Sequence, residues 1–65
     1  TAKNEYLAAI LAARKNDDQK AAVHLIKACQ LDPNLYHRVS LDTEVKGLAD
    51  RLNLWERLSG SRAER

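Results

Sequence analysis

The chain contains no phenylalanine and no methionine, and only one tryptophan and two tyrosines, so large apolar side chains cannot dominate its core. A single cysteine, Cys29, excludes an internal disulfide. Two isolated glycines, Gly47 and Gly60, exclude a glycine-rich phosphate loop. No apolar run approaches the roughly 20 residues needed to cross a bilayer, so no membrane partner is expected. The N-terminus has neither the apolar stretch of a signal peptide nor an initiating methionine, which reads as a piece of a longer protein or a processed form. Charge of one sign is also scarce: 11 Lys and Arg stand against nine Asp and Glu, and the net charge of +2 is spread along the chain rather than gathered into a block. The unpaired thiol points to a reducing, cytoplasmic setting.

What remains is alanine. Ten alanines supply much of the 45% hydrophobic content of the 65 residues, which favours helices that approach closely. A chain of this length buries only about 60% of its unfolded surface and forms one small domain, here expected over 1–59 with a flexible tail at 60–65. With no disulfide to staple it, a partner chain is the remaining support.

Hydrophobic spacing organises the chain into helices. From Asn4 to Lys15, Tyr6, Leu7, Ala9, Ile10, Leu11 and Ala13 contain the three-and-four spacing of an amphipathic helix, with Asn4 as its cap. Asn16-Asp17-Asp18 reads as a turn in which Asn16 takes the left-handed conformation and Asp17 caps the next helix. That second helix runs from about Asp18 to Gln30, burying Ala21, Ala22, Leu25, Ile26, Ala28 and Cys29 on one wide face. So short a connection implies an antiparallel hairpin. Leu31-Asp32-Pro33-Asn34 stops the helix, because proline disfavours helical geometry at Asp32.

Leu35 to Ser40 reads as a turn or one helical turn. Asp42 or Thr43 then caps a helix in which Val45, Leu48, Ala49 and Leu52 recur at i, i+3, i+4 and i+7. Gly47 weakens that helix, and a glycine there often marks close approach of a neighbour. Leu54, Trp55 and Leu58 either prolong it or form a short fourth helix capped by Asn53.

The chemistry of an enzyme is hard to assemble from these residues. His24 and Cys29 are five apart on a helix and face different directions, and His37 offers the only other imidazole, so no metal is expected. Cys29 with His37 would lack an oxyanion hole and a third orienting group. Asp17-Asp18, and Asp42 with Glu44, are explained as caps and first-turn charges. No catalytic residue and no cofactor are expected.

The first 35 residues resemble one tetratricopeptide repeat, a helical hairpin that stacks with its neighbours into a binding superhelix. Ala9 sits where the family places a small residue on its first helix. Ala21, Leu25 and Ala28 follow its small, large, small spacing on the second, and Leu31-Asp32-Pro33-Asn34 matches its closing turn. Glu5 stands where the family often has tryptophan, and Ala8 and Ala12 replace a larger apolar residue and a tyrosine, which thins the packing surface. The resemblance covers 2–35, and residues 42–59 look like the helical ending that covers the last repeat. Trp55 is the best candidate for the covering side chain, with a surface anchor for a partner as the alternative.

The resulting expectation is an all-α fold, a tetratricopeptide-like antiparallel hairpin with one or two packed C-terminal helices. It would work as a non-enzymatic protein interaction or assembly module. By the resemblance, the inner face of the first helix, with Asn4, Tyr6, Leu7, Leu11 and Arg14, meets another protein or peptide. Self-association into a homo-oligomer is a second expectation, because a lone hairpin leaves an apolar face open. The alternative from another class is a helix-turn-helix nucleic-acid binder using Arg51, Arg57, Arg62 and Arg65. Asp50, Glu56 and Glu64 interleave with those arginines and count against it.

Overall fold

A computed structural model describes residues 1–60, all of it helix and connecting turn. The first helix, α1 (Ala2–Arg14), begins earlier than the sequence pattern suggests, because Thr1 rather than Asn4 caps it. The Thr1 hydroxyl oxygen accepts from the Asn4 backbone amide at 3.2 Å, which makes Asn4 the recipient of the cap. At the other end Asn16 adopts φ 62°, as its side chain permits. Two bonds close the turn around it: Asp17 N donates to Ala12 O at 2.9 Å and Asn16 N to Ala13 O at 3.0 Å. This is the Schellman pairing that satisfies the last orphan carbonyls. Asp17 then caps α2 (Asp18–Leu31), its carboxylate accepting from Lys20 N at 3.2 Å.

Because only Lys15 to Asp17 separate them, α1 and α2 fold back antiparallel and make the most extensive contact in the molecule. Ala9, Ala21 and Ala28 are fully buried, with Leu25 and Cys29 beside them. Small side chains here let the two backbones approach. Tyr6, at 5% exposed, is the largest α1 residue drawn inward, and Ile10 packs partly buried against the same core. Burial and the neighbouring Asp42 carboxylate push its phenol up to about 12. The hydroxyl lies 3.5 Å from Asp42 Oδ2, long for such a bond, which is why burial is the larger cause.

Pro33 ends α2 as expected, but the following segment forms two helical turns, α3 (Leu35–Leu41), rather than one or none. Three bonds of the i to i+3 kind, to the carbonyls of Asp32, Pro33 and Asn34, wind the chain into it. Val39 is fully buried and anchors the segment, so packing supplies what local propensity does not. Asp42 caps α4 (Thr43–Leu52) through bonds from Glu44 N and Val45 N. Val45, Leu48 and Ala49 are its buried side, as the spacing requires.

The segment after α4 is a separate helix. Asn53 is the left-handed end of α4 (φ 56°) and not the cap of a continuation. Leu54 N reaches Ala49 O at 2.9 Å and Asn53 N reaches Asp50 O at 3.3 Å, repeating the Schellman closure at Asn16. The chain then enters α5 (Trp55–Gly60). Leu54 and Leu58 are the buried covering residues, whereas Trp55 is only half-buried. Its indole N–H donates to Asp50, and its ring meets Tyr36 edge-on at 5.7 Å. Apart from Gly60, the tail at 60–65 lies outside the described residues, as do Arg62, Glu64 and Arg65.

Gly47 serves no close approach. A methyl group added there would meet nothing within 4 Å, and its φ is not positive. Gly47→Ala should therefore raise stability by about 0.5–1 kcal/mol through helix propensity alone, read as a higher urea midpoint at unchanged slope. A lower midpoint would show that this glycine has a packing role.

Candidate functional site

The five residues expected to meet a partner divide on folding. Tyr6 turns into the core. Asn4, Leu7, Leu11 and Arg14 lie on the exposed side of α1. Leu7 and Leu11, one helical turn apart, are 50% and 57% exposed, alongside Val23 and Leu31 on α2 and Leu41 on α3, which are as exposed or more so. Arg14 is already engaged, its guanidinium donating through Nε and one terminal nitrogen to the two Glu44 oxygens at 2.9 and 3.0 Å. That two-pronged bond lowers the Glu44 pKa from its ordinary value.

The ion pair has a counterpart at the far end of α4, where Arg51 Nη1 donates to Asp18 Oδ2 at 2.6 Å. One end of α4 is thereby tied to α1 and the other to α2. Exposed pairs of this kind orient an element more than they stabilise it. Here they fix α4 across the hairpin, with Val45, Leu48 and Ala49 beneath. Arg51 is thus occupied within the fold, which weakens the basic cluster that a nucleic-acid reading requires.

On α1's flank toward α2, Glu5 and His24 meet at 2.7 Å between Oε1 and Nδ1. Sequence spacing gave no hint of this pair, because the two residues come together only when the hairpin closes. The hydrogen bond from His24 lowers the Glu5 pKa below its ordinary 4.5, against the opposing effect of burial. Beside it lies an open groove of about 250 Å³ lined by Ala8, Leu11, Ala12, Lys15, Asp17, Lys20 and His24. A wider open depression of about 510 Å³ lies between α2 and the α4–α5 turn, where Asp18, Asn53, Glu56 and Arg57 form a polar rim. Neither is the enclosed apolar cavity that buries most of a small molecule.

Cys29 is fully buried, and burial pushes its thiol pKa up, so the sulfur is held as a neutral thiol in the core. Among the described residues, no three His, Cys, Asp or Glu side chains gather as a metal site. No helix of the described residues is long and apolar enough to cross a membrane. Comparison with protein-family models, with curated proteins and with solved structures finds no match.

The Glu5 shift gives a pH dependence with a definite sign. A depressed folded-state pKa contributes stability that is present above pH 4.5 and lost as pH falls through the lower folded value. Glu5→Gln should flatten that acid limb, measured as urea midpoints at stepped pH. Parallel limbs for the two proteins would mean that Glu5 and His24 are not coupled in solution.

Proposed function

We propose that the chain is a non-enzymatic protein interaction or assembly module, built on a tetratricopeptide-like hairpin that α3 to α5 cover on one side. The observation that carries this reading is the Leu7 and Leu11 pair, apolar side chains at i and i+4 on the face of α1 turned away from the core. Each keeps half or more of its surface in water after folding, and a partner that covers them would bury the rest. The fully buried Ala9, Ala21 and Ala28 support the hairpin resemblance, since they occupy its small-residue positions. The single thiol, shielded in the core, accords with a cytoplasmic setting.

Asn4 borders this ridge, and Arg14 contributes to it chiefly by holding α4 in place. Self-association through the same ridge is the nearest variant of the proposal, with a second copy as the partner.

Leu7→Glu with Leu11→Glu separates binding from folding, because exposed positions tolerate substitution within about 0.5 kcal/mol. The double variant should keep its circular dichroism and lose stoichiometric capture of a protein that the unaltered chain recovers from extracts of its own cells, or lose its own dimer in sedimentation. Identical recovery and identical sedimentation would overturn the assignment.

A further inference from the structure

The groove beside Glu5 and His24 belongs to the hairpin alone, its lining drawn from α1, α2 and the turn between them. The covering helices α3 to α5 contribute nothing to it. Its floor is apolar, with Ala8, Ala12 and the half-exposed Leu11. Its rim is cationic: Lys15 is exposed, and the Lys20 side chain is 74% exposed.

The acids nearby offset only part of that charge. Asp17 caps α2 through Oδ1, and its other oxygen stands at 4.0 Å from Lys20 Nζ, the outer limit of an ion pair. Glu5 is taken by His24. The contrast is Arg14, one residue before Lys15, whose charge Glu44 matches at close range.

We propose that this groove docks an acidic amphipathic helix of a partner protein, with an aliphatic side chain seated over Ala8 and Ala12 and carboxylates reaching Lys15 and Lys20. The proposal rests on the interaction-module reading and names the chemistry of the partner. A helix suits a trough between two antiparallel helices, because its ridges enter the groove between theirs. Size points the same way: about 250 Å³ falls below the 300–1,000 Å³ of small-molecule sites and suits an anchoring side chain.

A second copy of this chain is a poor occupant. Among the described residues, every carboxylate except Glu56 already accepts a bond within the chain: Glu5, Asp17, Asp18, Asp32, Asp42, Glu44 and Asp50. Nucleic acid fits no better, since a phosphate backbone would leave the apolar floor uncovered.

The test uses the full chain, isotopically labelled, and a synthetic alanine-based helical peptide carrying leucines at i and i+4 flanked by glutamates. Its twin carries lysines in place of the glutamates. The glutamate peptide should shift the amides of Ala8, Leu11, Ala12, Lys15 and Lys20 saturably, and the lysine twin should not. Lys15→Gln with Lys20→Gln should weaken binding about tenfold, and raising salt should weaken it for the unaltered chain.

No saturable shift, equal binding of the twin, or tighter binding of a single-stranded oligonucleotide or an anionic phospholipid vesicle would each overturn the acidic-helix assignment. The two readings can fail separately. A natural partner lost on Leu7→Glu with Leu11→Glu, but retained at full strength on Lys15→Gln with Lys20→Gln, would uphold the interaction module and remove the acidic helix.

Discussion

The close approach of two alanine-lined helices is the constraint from which the rest of this structure follows. Ala9, Ala21 and Ala28 are fully buried, yet each removes little apolar surface from water. A hairpin made this way is well fitted and weakly driven. Leu25 and Cys29 add to the seam, but their outer flank needs a cover, and Val39, Val45, Leu48, Leu54 and Leu58 supply it from α3, α4, α5 and the short link before α5. Cover and hairpin are joined electrostatically as well, by Arg14 to Glu44 at one end of α4 and Arg51 to Asp18 at the other. The hydrophobic contact supplies the drive, and the two ion pairs select the orientation.

Those same interactions explain what was legible in the sequence. The turns were, because asparagine at φ 62° and 56° and aspartate at helix starts carry chemistry in single residues. The buried stripe of α4 was, because its four apolar positions fall on one side with no competing set. The start of α1 was not: Thr1 and Asn4 are both good caps, and local sequence does not rank them. Nor was α3, whose seven residues hold together around Val39 only once α2 and α4 surround it. Trp55 misled by size. Its indole N–H needs a polar partner, which it finds at Asp50 near the surface, and the branched leucines on either side take the interior.

The candidate surface was half legible for a similar reason. Apolar residues on α1 form two overlapping sets, Tyr6, Ala9, Ile10 and Ala13 on one side and Leu7 and Leu11 on another. Periodicity detects a helix in both and assigns the core to neither. Folding buries the set that carries Ala9, whose small side chain admits α2 at close range, with Tyr6 packed inward beside it, and the two leucines are left half exposed. The pairing of Glu5 with His24 and the groove between Leu11 and Lys20 have no local signature at all. They are properties of the closed hairpin.

Ala8 and Ala12 carry the last step. With Glu5, they are the α1 positions at which this chain departs from the tetratricopeptide pattern. In the fold they form the floor of the groove whose rim is Lys15 and Lys20. Larger residues there would fill the trough. With alanine the hairpin keeps a concave apolar strip beside Lys15 and Lys20, the latter 4.0 Å from the Asp17 carboxylate. Ala12 is itself buried at 9% exposed, so a larger side chain there would press on the packed hairpin as well as fill the groove.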